Sequence, residues 1–176
     1  MTPEEMIDDI LRKEGGFVND PVDRGGPTNF GITQNVYSKW LGRMATVAQT
    51  RNMDEATARE IYELNYYRAP RIDTLPESIQ SQILDCAVNH GPKRAIKFVQ
   101  QICNQAEFGP IAEDGVIGPK TRAVIARAEA EMGPFLTNAI ADERLNFYRR
   151  IIANDPSQQR FWNGWQQRAD SFKVEV

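Results

Sequence analysis

Glu14 is the residue whose type and setting first suggest chemistry. It lies three and four residues beyond Leu11 and Ile10 and seven beyond Ile7, so a helix through these positions carries its carboxylate on the apolar face, at the last turn. A helix C-terminus and apolar surroundings both disfavour the ionised form, which raises the expected pKa toward what a general acid needs. A competing reading makes Glu14 the last charged residue of a surface helix, reaching for solvent. Asp20 and Asp23 follow six and nine residues later, in a Gly-rich stretch able to fold back over the helix end. A protonated carboxyl facing a second carboxylate is an arrangement that breaks glycosidic bonds: one acid protonates the leaving oxygen while the other activates water or stabilises the oxocarbenium-like centre. Asp20 before Pro21, and Asp23 before Arg24-Gly25-Gly26, are equally at home as plain turn residues. Against a calcium loop stand the missing EF-hand spacing and closing Glu, and neither a metal nor an organic cofactor is implied.

Other side chains could line a sugar groove. Tyr37, Asn65, Tyr66 and Tyr67 combine aromatic faces that stack on pyranose rings with an amide that hydrogen-bonds N-acetyl groups, although core packing competes for the tyrosines. His90, the only histidine, stands beside Asn89 and Gly91 at the end of an apolar helix. A hydrogen-bonded helix-end residue is the more frequent role for such a histidine, and a place in the wall of a binding cleft, with Asn89, is the functional alternative. Trp162 and Trp165, with Phe161, are expected to pin a last helix to the body. Cys86 and Cys103 are too few for a disulfide framework and sit in apolar helical contexts, so buried free thiols are expected.

The elements that must position these residues are mostly helices. Thr2-Pro3-Glu4-Glu5 reads as a capped helix start, and Gly15-Gly16 as its end. From Phe17 to Thr33 the helical period gives way to Asn, Asp, Pro and Gly, predicting two short strands or an extended loop around Asp23-Arg24-Gly25-Gly26. Thr33 can cap a helix bearing Val36, Tyr37, Trp40 and Leu41, and Asp54 one bearing Ala58, Ile61, Tyr62 and Asn65. Further helices are predicted from Pro76 to Asn89, from Pro92, from Pro119 and from Phe135 to Ile152 after a break at Gly133-Pro134, with a short aromatic helix closing the chain. The expected fold class is therefore mainly α, with about seven or eight helices and a small β-hairpin or loop after the first. A length of 176 residues suits one domain, 1–176. The net charge of -3 supplies no basic field for nucleic acid. No run approaches the roughly 20 apolar residues of a membrane span, and the first residues lack the basic-then-apolar order of a secretory signal. The expectation is a monomer made in a bacterial cytoplasm, without a nucleic-acid partner or stable membrane insertion.

The string Glu14-Gly15-Gly16-Phe17, Asn19-Asp20-Pro21, Asp23, Gly25-Gly26, Thr28 and Gly31-Ile32-Thr33 resembles the signature of the glycoside hydrolase family 108 muramidases, which have a lysozyme-like fold. The resemblance implies that Glu14 is the catalytic acid. The interval from Glu14 to Asp23 is similar to the Glu-to-Asp interval of phage-type lysozymes, whose motif continues to a water-placing Thr, and Thr28 is the nearest match; Asp20 competes with Asp23 for the second acid. Asp85 to Gly91 and Asp114 to Thr121 resemble the region of these proteins described as peptidoglycan-binding. On this resemblance residues 1–75 form the catalytic half and 76–176 a helical half. Physically, Asp114 to Thr121 is a tight turn feeding a Pro-initiated helix, with Gly115 and Gly118 supplying unusual backbone angles, so fold completion is expected of it more than sugar contact. The resemblance implies a lysozyme cutting the β-1,4 bond between N-acetylmuramic acid and N-acetylglucosamine in peptidoglycan glycan strands. Its setting would be that of a phage endolysin acting in the periplasm and cell wall, dependent on a holin or another export route. A lytic transglycosylase on the same bond, or a non-catalytic peptidoglycan-binding or secretion-accessory protein, are the rival readings.

Overall fold

The first helix forms as its opening residues dictate. In the computed structural model, which describes residues 1–19 and 26–176, α1 spans Pro3–Glu14. The Thr2 hydroxyl accepts from the Glu5 N–H at 3.2 Å, and the Glu5 carboxylate accepts from the Thr2 N–H at 2.7 Å, a reciprocal cap at the helix start. Met6, Ile7 and Ile10 form its buried face, and Glu14 is its last residue. The described residues divide into two compact units, Met1–Ala69 and Pro70–Val176.

In the first unit, α1 is followed by a small β element. Val18 and Thr28 exchange N–H to C=O bonds at 2.9 and 2.8 Å in an antiparallel bridge. Asp20, Asp23 and most of the turn expected around Asp23-Arg24-Gly25-Gly26 lie outside the described residues. The hairpin that is described turns elsewhere: β1, Thr28–Asn29, pairs with β2, Ile32–Thr33, and Asn29 faces Ile32 across a two-residue turn of Phe30 and Gly31. Both turn residues have positive φ, 51° and 75°, as the type I′ geometry of tight hairpins requires. Phe30 is an unfavourable residue for the left-handed region, which is why the sequence pattern does not announce this turn. Its carbonyl accepts the Tyr62 hydroxyl at 2.6 Å, a tertiary bond that outweighs the local preference. Buried Asn29 donates its amide to the carbonyls of Thr50, Arg51 and Met53, tying the hairpin to the next helices.

Those helices are α2, Gln34–Leu41, capped by Thr33 as its sequence predicts; α3, Val47–Arg51; and α4, Glu55–Ile61, capped by the Asp54 carboxylate, which accepts from the Thr57 N–H at 2.7 Å. The five-residue α3 escapes a reading based on apolar period, although Thr46 and Gln49 form the reciprocal cap that marks it. After Ile61 the chain widens into a π-helix, Tyr62–Arg68, that closes with the Ala69 N–H bonded to the Leu64 carbonyl at 2.9 Å. Such i to i+5 turns are rare and are frequent at functional sites. Tyr62 and Tyr67 are buried in it, Tyr66 is half-buried and Asn65 is exposed.

The second unit is helical throughout its described elements. A short 3₁₀ turn, Ile72–Thr74, leads to α5, Glu77–His90, and α6, Pro92–Gln105, which pack against each other. α7, Pro119–Met132, and α8, Pro134–Asn154, follow, and a 3₁₀ turn, Pro156–Phe161, runs into α9, Trp162–Asp170. Among the described residues there are thus nine α-helices, one more than the upper expectation, and no helix is long and apolar enough to cross a membrane. Trp162 and Trp165 do pin α9: they pack on Leu145, Tyr148 and Ala169, with the Trp165 ring stacked on Tyr148 at 4.6 Å. Cys86 and Cys103 are buried free thiols, with burial pushing each up to about 11.

The Asp114 turn is built for folding. Gln100, fully buried, donates to the Asp114 carboxylate at 3.0 Å and accepts from the Gly115 N–H at 2.8 Å. Gly115 has φ 76°, and a Cβ there would lie 2.4 Å from the Lys93 carbonyl oxygen. Gly118 corrects the expectation of unusual angles, because its φ of -93° and ψ of 179° are ordinary extended values at the start of α7. Proline at the first helical position fixes that entry and leaves Gly118 no special conformation to adopt.

Candidate active site

The C-terminal end of α1 meets the tip of the hairpin. Gly31 approaches Glu14 so closely that a Cβ on it would lie 2.8 Å from the Glu14 Cγ, 2.8 Å from its Oε2 and 2.8 Å from the Tyr62 hydroxyl. Only a glycine permits that approach, and the positive φ of 75° points the same way. The Glu14 carboxylate and the Tyr62 hydroxyl thereby both lie close against the main chain of Gly31. Tyr62 fixes the tip by donating to the Phe30 carbonyl, and its ring lies 5.5 Å from that of Tyr66. Burial, reinforced by the charge on Glu14, raises the Tyr66 hydroxyl above the usual tyrosine range, so it is a protonated hydrogen-bond donor near neutral pH. Beside this point opens a groove of about 500 Å³ lined by Leu11, Gly15 and Phe30, with the Asp8, Glu55 and Arg59 ion pairs along it.

Replacing Gly31 by alanine tests this close approach. The added methyl must displace either the Glu14 carboxylate or the Tyr62 hydroxyl, and the left-handed backbone adds strain of roughly 1–2 kcal/mol. A displacement on the scale of 1 Å at a reacting group costs about 100-fold in rate. Gly31→Ala is expected to lose activity on that scale with a modest fall in melting temperature, measured as hydrolysis rate and by calorimetry on the same preparation.

The sites read from sequence fall in several places. Glu14 and Tyr66 come together, and Gly31, Phe30 and Tyr62 join them although their roles were not foreseen. The adjacent positive-φ turn and the i to i+5 spacing that place them arise from tertiary contact and carry no sequence period. Thr28 stands on β1, two residues before Phe30, half-buried and paired with both Val18 and Thr33 through its backbone. Tyr37 is half-buried on α2, and Asn65 is exposed on the π-helix. Asn89 and His90 end α5 in the second unit; Asn89 is exposed and donates to the Asp85 carbonyl at 2.8 Å. Among the described residues no cluster of three or more His, Cys, Asp and Glu is placed to hold a metal ion.

His90 is hydrogen-bonded at the helix end. The buried Arg144 donates Nε–H to the Tyr148 hydroxyl oxygen at 2.9 Å, and that hydroxyl lies 3.1 Å from His90 Nε2. With Arg144 donating to the Tyr148 oxygen, the phenol proton is free to point at His90 Nε2, an arrangement that suits a neutral ring. Phe98 and Phe147 pack edge-on against the imidazole. Burial, and then the Arg144 charge, push it down to about 3. The unfolded chain takes up a proton near pH 6.5, whereas the folded one does not until about pH 3. His90 therefore contributes stability that is complete above about pH 6.5 and lost as pH falls toward 3. Calorimetry from about pH 7 to about pH 4 should show a melting temperature that falls less steeply in His90→Gln than in the native chain.

A carboxylic acid at a helix end, set against a small antiparallel hairpin in a mainly α chain, is the lysozyme-like class of glycoside hydrolase. Residues 7–91 match the family described as Glycosyl hydrolase 108, and residues 94–170 match the family described as "Predicted Peptidoglycan domain". The protein is a glycoside hydrolase acting on peptidoglycan. Over its length it is similar to a solved structure, SagA of Brucella abortus, with 28% identity, a TM-score of 0.76 and coverage of 99% of this chain and 97% of that one. No curated protein matches the chain.

Proposed function

We propose that the chain is an N-acetylmuramidase, hydrolysing the β-1,4 bond between N-acetylmuramic acid and N-acetylglucosamine. The observation that carries this reading is the close approach of the Gly31 main chain to Glu14 at the end of α1. An acid held in one place can meet the glycosidic oxygen without first being ordered, which is where positioned acids gain their rate. Glu14 gives its proton to the departing oxygen as the C–O bond breaks. Asp23 or Asp20 is assigned the opposite face, activating water or stabilising the developing positive charge, with Thr28 helping to place the water; the separation of the two carboxyls then fixes inversion or retention. Tyr66, Tyr37 and Asn65 are assigned to the sugar rings and N-acetyl groups. The setting that fits the family resemblance is a phage endolysin, made in the cytoplasm and delivered to the wall by a holin or another exit route.

Product chemistry tests the reading directly. Digestion of purified sacculi, followed by mass analysis, is expected to give muropeptides with reducing ends. Anhydro ends would assign the chain to the lytic transglycosylases, which cut the same bond with one acid and no water. Sedimentation with sacculi without fragment release would leave a binding protein in place of an enzyme.

A further inference from the structure

We propose that the second unit holds a site for a short peptide bearing a free amino group, in the cavity between α5, α7, α8 and the segment Phe172–Val176. The cavity measures about 430 Å³, inside the range of roughly 300–1,000 Å³ typical of ligand pockets. It lies apart from Glu14 in the chain and uses none of the residues assigned to catalysis.

Gln82 carries the argument. Its side chain is 2% exposed and lines the cavity, and neither Nε2 nor Oε1 has a hydrogen-bond partner among the described residues. Buried polar groups are paired in the great majority of cases, and an apolar side chain of the same size would avoid the cost of leaving them unpaired. A donor and an acceptor side by side on one planar group match the C=O and N–H of a peptide. The same unit makes such a match on α8: Asn138 donates Nδ2 to the Val174 carbonyl at 3.0 Å and accepts the Val174 N–H on Oδ1 at 2.9 Å. Gln82 has the groups to grip a second peptide unit, one supplied from outside.

The cavity's charge selects the rest of the ligand. Glu129 and Glu175 both line it, and Glu129 accepts from the neutral Ser78 hydroxyl at 3.0 Å, so carboxylates face the space where an ammonium would be favoured. An amide next to a cation describes a peptide ending in a diamino acid. In a chain that acts on peptidoglycan this is the stem peptide, and the naming of the ligand rests on that reading. A bare acetamido sugar offers the amide without the cation. Reaching the buried Gln82 amide requires part of the lining to give way, and apart from Gly133 the part outside any helix is Phe172–Val176, held by Asn138 and by the Lys173 ion pairs to Asp142 and Asp170.

The test uses the full chain and a soluble Ala-γ-Glu-diaminopimelate tripeptide, followed by titration calorimetry and by the NMR signal of the Gln82 side-chain amide. Saturable binding that shifts this signal is expected, while an N-acetylglucosamine trimer leaves it unmoved. Gln82→Leu is expected to bind the tripeptide about tenfold more weakly or not at all and to melt at a higher temperature, because an unpaired amide has been replaced by apolar surface. A lower melting temperature in Gln82→Leu, tripeptide binding unaffected by it, absence of tripeptide binding, or a Gln82 signal that answers to the sugar trimer would each overturn the site. Cleavage of peptide-free glycan strands by the native chain is scored separately. Cleavage without tripeptide binding overturns this site and leaves the hydrolase standing, whereas tripeptide binding without cleavage overturns the role of Glu14 and leaves this site standing.

Discussion

Glu14→Gln is expected to lower peptidoglycan hydrolysis by roughly 100- to 10,000-fold, the contribution of a positioned general acid, while leaving the fold intact. The amide has the shape of the carboxyl, so its contact with Gly31 persists, but it has no proton to give to a departing sugar oxygen. Glu14 is half-buried at a helix end, and an isosteric change in such a place moves stability by about 0.5 kcal/mol or less. Turbidity loss of purified sacculi and the melting temperature, read on one preparation, separate the two quantities. A variant that keeps both its rate and its melting temperature would place the acid elsewhere in the chain.

The second large effect concerns stability. Asp85 is 2% exposed and stands between two guanidinium groups: Arg144 Nη1 approaches its carboxylate at 2.8 Å, and Arg168 donates to both oxygens at 3.0 to 3.1 Å. Arg144 is itself fully buried. Removing the one negative charge leaves a buried cation that cannot shed its proton, and breaking such a pair costs about 3–5 kcal/mol. For a chain of this length that amounts to a fall in melting temperature of roughly 10 °C, the expected result for Asp85→Ala by calorimetry. Replacing Asp85, Arg144 and Arg168 together by Leu, Met and Leu should cost less than the single change, since the desolvation of all three charges is then avoided. If the triple variant proved the weaker, the ion cluster would be a net source of stability.

Helix starts were legible because their signals are local. Thr2, Thr33 and Asp54 each cap a helix where the sequence places one, and Gly133-Pro134 separates α7 from α8. The position of Glu14 at the end of α1 was legible because Gly15-Gly16 marks the stop directly after it. The hairpin tip was not, since Phe30 adopts its conformation through a bond from Tyr62, 32 residues away. The π-helix was hidden for a related reason: Tyr62 and Asn65 fit an ordinary helical period, and the wider turn is imposed by packing. Asp85 read as one member of a motif, and only the arrival of Arg144 and Arg168 from α8 and α9 shows it to be an electrostatic hub.

Gly31 and Phe30 restrain Glu14 and Tyr62 through backbone atoms, a Cα on one side and a carbonyl on the other. The phenyl ring of Phe30 takes no part in that grip, and the residue lines the neighbouring groove. The two duties of the turn are thereby uncoupled. Natural variation or engineering at the Phe30 side chain is free to change the lining of that groove, provided the replacement tolerates a left-handed backbone, as Asn and Asp do. Glu14 would keep its place while the groove beside it changes.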